Sequence, residues 1–351
     1  MKTLQVNGIF EDVLESADCP PHVWRACLEK ETISVLGYGP VGRAQALNLR
    51  DRGFTVCVGA RCGGASWLRA AAEGFVPYKT LLSLESAVQR ASLVFYSLSD
   101  AGQKATWPIL GQLFQPGAAL CFAHGFSIVY ADQTGVHPRA DIDVILVAPK
   151  GAGATMRRAF CDGSHLNASL AVHHDATGCA RARAMAIAFA LGSAYVFQTT
   201  FEREVYADLT GERGVLVGAI YGLLKAQYDV LRAAGHSPVE SFSETVEEAT
   251  QSLYPLIAEH GMDWMYQNCS ATAQRGALDW HMRFYAAVKP LFEELYQSVQ
   301  SGNKTKITLE VSSRIDYSIR LQEELRTIAE SEMWKIGAQV RALRENDGAV
   351  K

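Results

Sequence analysis

The chain has 351 residues, of which 48% are hydrophobic and 20% are charged, and its formal net charge is −4. This balance is typical of a globular protein with room for two domains, and it excludes a strong electrostatic affinity for nucleic acid or anionic membrane. No apolar run reaches the ~20 residues of a membrane span, and the first residues lack the apolar core of a signal peptide. The eight cysteines are scattered. We therefore expect reduced thiols in the cytoplasm, or in an organelle if a transit peptide has been removed.

Residues 1–199 alternate short apolar runs with helical patterns, which predicts a doubly wound, Rossmann-type α/β domain. An irregular lead-in and a short helix near 23–30 precede the first strand. Helices are expected between strands, as at 43–52 and 83–90. The strands are predicted at 33–36, 55–58, 93–98, 119–122, 144–147, 169–172 and 195–197.

From residue 200 onward the strand pattern disappears, so residues 200–351 are predicted to form a second, all-helical domain. One helix is predicted across 202–233. A capping box, Ser237-Pro238-Val239-Glu240, begins the helix that follows it. The last helix is predicted at 315–343, because apolar residues recur there on one stripe with charges opposite.

A glycine-rich motif, Gly37-Tyr38-Gly39-Pro40-Val41-Gly42, follows the first predicted strand and opens a helix. In this context Gly-x-Gly-x-x-Gly is typical of dinucleotide binding, because the glycines let a pyrophosphate approach the backbone at the helix N-terminus. A glycine-rich turn without a ligand is the less favoured alternative. All six residues of the motif are therefore candidate cofactor contacts.

The end of the second strand indicates which nicotinamide cofactor binds. NAD-binding chains tend to carry an acid there for the ribose 2′-hydroxyl, whereas residues 58–66 contain no acid and include Arg61 and Ser66. A guanidinium and a hydroxyl suit a 2′-phosphate. We therefore predict NADPH as the cofactor, with Arg61 as a solvated loop charge as the alternative.

Polar residues follow three later strands of the predicted sheet. Asp100 and Gln103 come after one strand, His124 after the next, and Lys150 after the one beyond. Because an open parallel sheet binds ligands at the carboxyl ends of its strands, these residues are candidates for the site. His124 and Lys150 could each instead be satisfied structural groups.

Two pairs of carboxylates stand in the predicted helical domain, Asp208 with Glu212 and Glu244 with Glu248. Residues four apart lie on the same face of a helix, one turn from each other. A single pair of this kind is usually a solvated face. Two converging pairs would offer four hard oxygen ligands, which suit Mg²⁺, so we predict a divalent metal site.

Long passages of the chain resemble the ketol-acid reductoisomerases, or acetohydroxyacid isomeroreductases, and are most similar to the short-form enzymes of fungal type. The resemblance runs from about Phe10 to Arg344, and it is carried by the passages Leu47–Asp51, Asp143–Gly151, Gln198–Val205 and Thr245–Leu256. It implies an NADPH- and Mg²⁺-dependent enzyme of valine and isoleucine synthesis. The substrate would be 2-acetolactate or 2-aceto-2-hydroxybutyrate, in which an alkyl group migrates before reduction to a 2,3-dihydroxy acid.

The same resemblance implies roles for the four carboxylates. Asp208 and Glu212 would hold two Mg²⁺ ions, with Asp208 bridging them. Glu244 and Glu248 would form the second pair, which in this family's dimers reaches across from the partner subunit, and Glu248 or a water would relay a proton. The helical domain is accordingly expected to be knotted and to form a homodimer or a larger homo-oligomer.

Further residues match family positions outside the carboxylate pairs. Ser270 matches the serine that binds the substrate, and His124 and Lys150 match an active-site histidine and lysine. Three residues match positions on the cofactor side, namely Asp100, Gln103 and Gly153. The chain departs from the family at Pro40-Val41, where relatives usually carry Ser-Gln.

Three other functions stay open. The chain could be a paralogue that acts on another 2-hydroxy-2-acyl acid. It could also be a metal-independent, NADP-dependent hydroxy-acid dehydrogenase with Lys150 as the acid, which leaves the carboxylate pairs unexplained. A non-catalytic nucleotide sensor is disfavoured, because the carboxylates, Lys150 and Ser270 are all present.

Overall fold

The computed structural model describes residues 2–347 and divides into two compact units, Met1–Ala207 and Asp208–Lys351. The first unit is α/β and the second is helical, which confirms the predicted succession of a Rossmann-like domain and an all-helical domain. The predicted boundary at 199/200 precedes the helix Phe201–Arg213, and this helix runs through the division between the two units. The knotted path of the helical domain stays a prediction.

The first unit consists of one sheet and the helices that cover it. Its strands are β1 Lys2–Val6, β2 Ile9–Glu15, β3 Ile33–Leu36, β4 Val56–Gly59, β5 Leu81–Leu82, β6 Leu93–Tyr96, β7 Ala119–Phe122, β8 Asp143–Pro149, β9 Leu166–His174 and β10 Ser193–Gln198. Its helices are α1 Pro21–Leu28, α2 Pro40–Asp51, α3 Ala65–Ala72, α4 Leu84–Arg90, α5 Asp100–Leu110, α6 Phe126–Val129, α7 Ala131–Thr134, α8 Gly153–Asp162, α9 Ala180–Ala190 and the first half of α10 Phe201–Arg213, which continues into the second unit.

The strand order of the sheet is β1-β2-β10-β9-β8-β7-β6-β3-β4-β5. From β8 to β5 the neighbouring strands are parallel, in the order of a dinucleotide-binding fold, so their carboxyl ends share one edge. The expectation of a parallel sheet is wrong beyond β8, because β9 pairs antiparallel with β8 and β2 pairs antiparallel with β10. The sheet is therefore mixed.

The N-terminal segment is a β-hairpin, so the predicted irregular lead-in is wrong. Strands β1 and β2 pair antiparallel around Asn7-Gly8, and both turn residues have positive φ, at 50° and 78°. That is the geometry of a two-residue hairpin turn, for which Asn-Gly is the preferred sequence. The strands lack the buried apolar runs on which the other strand predictions rested, since both faces of β1 are exposed.

The sheet is covered on both faces, as parallel strands require. Alternate residues of β3 show this arrangement, because Ile33 and Val35 belong to one buried cluster and Leu36 belongs to the other. An ion-pair network ties the helices to the sheet below the ligand edge. In it the buried Asp143 and the side chain of Glu31 both accept hydrogen bonds from Arg183, at 2.7 and 2.8 Å. The ligand edge is thus built on a rigid base.

The second unit is helical throughout its described part, and none of the described helices is long and apolar enough to cross a membrane. After the end of α10, its elements are α11 Gly218–Ala233, α12 Pro238–Phe242, two π-helical segments Ser243–Glu247 and Ala249–Leu253, α13 Tyr254–His260, α14 Met262–Gln267, α15 Ala271–Gln300, α16 Asn303–Ser312, α17 Tyr317–Ala329 and α18 Glu332–Asp347.

Two long helices predicted from the sequence are interrupted. The helix predicted at 202–233 breaks between α10 and α11, where a Cβ on Gly218 would lie 2.2 Å from the carbonyl oxygen of Arg213. Gly218 therefore permits a tight break in the chain at this point. The helix predicted at 315–343 breaks between α17 and α18 at Ser331. The predicted capping box is confirmed, because Ser237 and Glu240 each bond the other's backbone N–H.

Candidate active site

The glycine-rich motif forms the turn between β3 and α2. Gly37 has φ +92°, and a Cβ there would lie 2.7 Å from the carbonyl oxygen of Ser97, while a Cβ on Gly42 would lie 2.3 Å from the carbonyl oxygen of Gly37. Gly39 is the N-cap of α2 and Pro40 is its first residue. The first-turn N–H groups of the helix point out of its N-terminus, where an anion is stabilised. Gly37 and Gly42 therefore let the turn pack against the protein's own backbone, whereas a Cβ on Gly39 would meet nothing within 4 Å. The helix N-terminus is thus open beside Gly39, which fits a dinucleotide pyrophosphate.

Gly153, a predicted cofactor-side residue, packs directly on this turn. It is the first residue of α8, and a Cβ on it would lie 2.3 Å from the carbonyl oxygen of Pro40 and 2.7 Å from the amide nitrogen of Val41. The N-termini of α2 and α8 therefore meet at the glycine-rich turn. Since both helix dipoles favour negative charge, the position is suited to phosphate oxygens.

The two residues predicted to meet a 2′-phosphate, Arg61 and Ser66, lie just after β4. Arg61 is exposed in the loop before α3, and Ser66 lies half-buried in the first turn of that helix. The loop is closed by a hydrogen bond of 3.0 Å from the amide of Gly64 to the carbonyl oxygen of Arg61. These residues lie where an adenosine ribose meets the second strand of a Rossmann fold.

The two predicted residues after β6 have different surroundings. Gln103 is buried, and its amide donates to the carbonyl oxygens of Tyr96 and Leu98, both at 3.0 Å, so it fixes the loop between β6 and α5. Asp100 begins α5, which Ser99 caps. Burial raises the pKa of Asp100, and the nearby His124 partly opposes that rise.

A buried carboxylate joins the predicted histidine and lysine at the same edge. Lys150, after β8, donates a 2.7 Å hydrogen bond to Oε1 of Glu204 on α10. The other oxygen of Glu204, Oε2, lies 3.7 Å from Nδ1 of His124, which follows β7. The Glu204 side chain is 1% exposed, against 30% for Lys150 and 26% for His124. The buried carboxylate of Glu204 therefore holds the ammonium of Lys150 at the carboxyl edge of the sheet, where a substrate would bind.

Glu204 was not identified from the sequence, although it lies in one of the passages that carry the family resemblance. Its signal is the repeated spacing of Glu204, Asp208 and Glu212, which places three acids on one face of α10 at successive turns. Asp208 is half-buried and Glu212 is exposed. Their carboxylate oxygens are hard donors, so this helix face fits a Mg²⁺ ion.

Glu244 lies in the first π-helical segment, and Glu248 lies between the two segments. Such π-helical turns are frequent at functional sites. Glu244 and Glu248 are both exposed. Among the side chains that the structure describes, those of residues 2–344, no group of three potential metal ligands includes Glu212, Glu244 or Glu248. A single copy of the chain therefore does not gather all four predicted ligands into such a group, and their convergence stays a prediction.

Ser270, the predicted substrate contact, caps a helix. It is the exposed N-cap of α15, and its hydroxyl oxygen accepts a hydrogen bond of 3.3 Å from the amide of Ala273. The hydroxyl proton is not used in this contact. Its role toward a substrate stays a prediction.

A Rossmann-type sheet with a glycine-rich turn and polar side chains at its carboxyl edge is typical of nicotinamide-dependent oxidoreductases. Comparison with known families defines the class further. Residues 27–196 match the family model described as "Acetohydroxy acid isomeroreductase, NADPH-binding domain", and residues 201–346 match "Ketol-acid reductoisomerase, C-terminal domain". The chain belongs to the ketol-acid reductoisomerase family.

Relatives match over nearly the whole chain. The ketol-acid reductoisomerase (NAD(+)) of Desulfosudis oleivorans is 54% identical, over 98% of this chain and 98% of that protein. The mitochondrial ketol-acid reductoisomerase of Saccharomyces cerevisiae is 52% identical, over 98% of this chain and 87% of that protein. A solved NADH-preferring ketol-acid reductoisomerase from an uncultured archean is 30% identical with a TM-score of 0.84, covering 95% of this chain and 99% of that one. The predicted family resemblance, including its fungal members, is confirmed.

Proposed function

We propose that the chain catalyses the ketol-acid reductoisomerase reaction on 2-acetolactate or 2-aceto-2-hydroxybutyrate, in branched-chain amino-acid synthesis. An alkyl group migrates between neighbouring carbons, and the product is reduced to a 2,3-dihydroxy acid. The observation that carries this proposal is the buried Glu204, which holds Lys150 beside His124 and begins a face of three acids on α10. A plain hydroxy-acid dehydrogenase has no use for that acidic face.

The residues of the first unit would bind and orient the substrate. Lys150 presents a positive charge toward the carboxyl edge, and Glu204 fixes the position of its ammonium. Such a fixed cation stabilises negative charge that develops on substrate oxygens during the reaction. His124, close to the same buried carboxylate, is placed to exchange a proton there.

The acids of α10 would hold the metal. We assign Asp208 as the ligand shared by two Mg²⁺ ions and Glu212 as the ligand of one. Bound Mg²⁺ would acidify the substrate hydroxyl and polarise the adjacent carbonyl. Glu244 and Glu248 would complete the site from a second copy of the chain, and Ser270 would bind the substrate.

A homodimer or larger homo-oligomer fits the surface of the helical unit. Trp280, Phe284 and Tyr285 on α15 are each more than half exposed, and so are Val215, Leu216 and Val217 between α10 and α11. Apolar exposure of this extent in one part of a chain marks an interaction surface. The knotted path belongs to the same proposal.

We assign NADPH as the preferred cofactor, because Arg61 and Ser66 suit a 2′-phosphate and the end of β4 carries no acid. Two relatives are named for NAD(+) or NADH, so this preference depends on the residues of this chain alone. The Saccharomyces relative is named mitochondrial. An organellar matrix therefore stands beside the cytoplasm as the proposed location.

The rate of NADPH oxidation with racemic 2-acetolactate tests the function, measured with excess Mg²⁺ and again with EDTA. The proposed reaction requires both the substrate and the metal. Oxidation that persists in EDTA would favour a metal-independent hydroxy-acid dehydrogenase. Tight NADPH binding without oxidation would favour a nucleotide sensor, and turnover of only another 2-hydroxy-2-acyl acid would favour a paralogue.

Arg61→Ala is expected to narrow the preference for NADPH over NADH by roughly 1–3 kcal/mol, because one charge-assisted contact to the 2′-phosphate is lost. The dissociation constants of both nucleotides measure the change. Arg69→Ala, at an exposed position on α3, the helix that follows the Arg61 loop, is the matched control and should leave the ratio of the two dissociation constants unchanged. Equal affinities of the unmutated protein for NADPH and NADH would remove the basis for this assignment.

Gly153→Ala is expected to weaken binding of NADPH and NADH alike by about tenfold, because the new methyl group displaces Pro40 and the glycine-rich turn. Fluorescence titration with each nucleotide checks this. Gly222→Ala is the control, since a Cβ there has no neighbour within 4 Å. Unchanged affinity in Gly153→Ala would show that the turn does not bind the pyrophosphate.

A further inference from the structure

Glu73 is a partly buried carboxylate that the proposed reaction does not use. It follows α3 directly, and its side chain is 26% exposed. Its Oε2 accepts a hydrogen bond of 2.6 Å from the hydroxyl of Tyr38. Its two oxygens also accept from Nε of Arg43, at 2.8 and 3.0 Å. Tyr38 stands between the first two glycines of the motif and Arg43 follows the third, so one carboxylate holds both ends of the glycine-rich turn.

Further contacts make this junction rigid. The carbonyl oxygen of Glu73 accepts a 2.6 Å hydrogen bond from Arg50 on α2. The guanidinium of Arg50 lies 4.9 Å from the centre of the Phe75 ring, and the Tyr38 ring meets that ring edge-on at 5.7 Å. Tyr38 and Phe75 are both buried. The end of α3, the start of α2 and the glycine-rich turn are therefore packed as one body.

The charges of the junction are matched. The hydrogen bond from Arg43 is the largest cause that lowers the pKa of Glu73 below its ordinary value, so the carboxylate stays ionised. Burial, together with Glu73, raises the pKa of Tyr38 above its ordinary value, so its hydroxyl stays a donor. The junction therefore keeps the same hydrogen bonds across the neutral pH range.

This chain has a particular need for a rigid turn. Pro40 has no N–H and Val41 has no polar side chain, so the backbone N–H groups of Val41 and Gly42 are the donors that the first turn of α2 offers. Glycine-rich segments have many conformations to lose on ordering. Backbone donors bind an anion tightly only where they are already in place before it arrives.

We propose that Glu73 is a positioning residue for the nicotinamide nucleotide, acting through Tyr38 and Arg43 to hold the glycine-rich turn ready for the pyrophosphate. This inference rests on the proposed nucleotide site but assigns no contact between Glu73 and the nucleotide. Because NADPH and NADH share the pyrophosphate, Glu73 should affect the affinity for both nucleotides equally. Arg61 should affect only the affinity for NADPH, because only NADPH carries the 2′-phosphate.

The test is titration of the full-length protein with NADPH and with NADH, together with kcat at saturating NADPH. Glu73→Gln is expected to weaken both nucleotides by about tenfold in parallel and to leave kcat unchanged. Tyr38→Phe, which removes one of the hydrogen bonds, should weaken both by a smaller factor of about three. The melting temperature of each variant without nucleotide shows whether the loss of affinity comes from a general loss of stability.

The helical unit offers a matched control, because Glu332 accepts hydrogen bonds from Tyr228, at 2.7 Å, and from Arg232. Glu332→Gln therefore breaks the same kind of Tyr–Glu–Arg junction on α18, and it should lower the melting temperature without changing either nucleotide affinity. A wild-type protein that binds neither nucleotide would contradict the proposed function and this inference together. Two outcomes would overturn this inference alone, provided that the wild-type protein binds both nucleotides. One is an affinity of Glu73→Gln equal to that of the wild type, and the other is a fall in its kcat as large as the fall in its affinity. If Glu73→Gln does not fold, undiminished affinity in Tyr38→Phe overturns it.

Discussion

Asp208→Asn is expected to abolish isomerisation of 2-acetolactate, with a loss of turnover on the order of a thousandfold or more. Asn keeps the shape of the side chain but removes the charge. Because we propose Asp208 as the ligand shared by two Mg²⁺ ions, its loss should affect both. Asp208 is half-buried in the middle turn of the acidic face of α10. Calorimetric titration with Mg²⁺ should show the same loss as the turnover assay.

Two comparisons isolate this effect. Reduction of 3-hydroxy-3-methyl-2-oxobutanoate, which has already isomerised, should survive in part in Asp208→Asn because it needs less metal activation. Asp229→Asn makes the same chemical change at an exposed position on α11, where Asp229 pairs with Lys225, and should leave turnover unchanged. Full isomerase activity in Asp208→Asn would contradict the metal assignment.

Glu204→Gln is expected to lower kcat by about a hundredfold or more, because Lys150 loses the anion that fixes its ammonium at the carboxyl edge. The Glu204 side chain is 1% exposed, so removal of its charge also breaks a largely buried ion pair and lowers the stability of the first unit. Measurement of kcat and the melting temperature separates the two effects. Binding of NADPH should change little, since none of the contacts described for Glu204 reaches the glycine-rich turn.

The matched control for Glu204→Gln is Glu202→Gln. Glu202 lies in the first turn of the same helix and is exposed, so its replacement should change neither kcat nor the melting temperature. Wild-type kcat in Glu204→Gln would show that the Lys150–Glu204 pair is structural. It would also remove the observation on which the proposed function rests.

The parallel part of the fold was predictable from the sequence because each of its main strands is a buried apolar run between helical patterns. Strand β3 and the glycine-rich turn after it are the clearest example. The hairpin β1–β2 escaped prediction because β1 is exposed throughout, β2 buries only Val13 and Leu14, and only Asn7-Gly8 signals the turn. The reversed direction of β9 depends on its pairing with β8, which no local pattern encodes.

The site was predictable where chemistry follows from position along the chain and not where it depends on tertiary contacts. His124 and Lys150 were predicted because they follow strands, and the structure brings both to the same buried carboxylate. Glu204 was missed although it shares the four-residue spacing of Asp208 and Glu212, because its role depends on Lys150 and His124, which only the fold brings to it. Gln103 was predicted as a cofactor-side residue. In the structure its side-chain amide instead donates hydrogen bonds to backbone carbonyl oxygens next to its own loop.

The identity of the product formed from 2-acetolactate, with NADPH and excess Mg²⁺, tests the proposed reaction most directly. Methyl migration followed by reduction gives 2,3-dihydroxy-3-methylbutanoate, in which both methyl groups sit on one carbon and appear as singlets in the proton NMR spectrum. Reduction without migration gives 2,3-dihydroxy-2-methylbutanoate, whose methyl groups appear as one singlet and one doublet. We expect the first product alone. The second product would contradict the proposed function and identify the chain as a simple hydroxy-acid dehydrogenase.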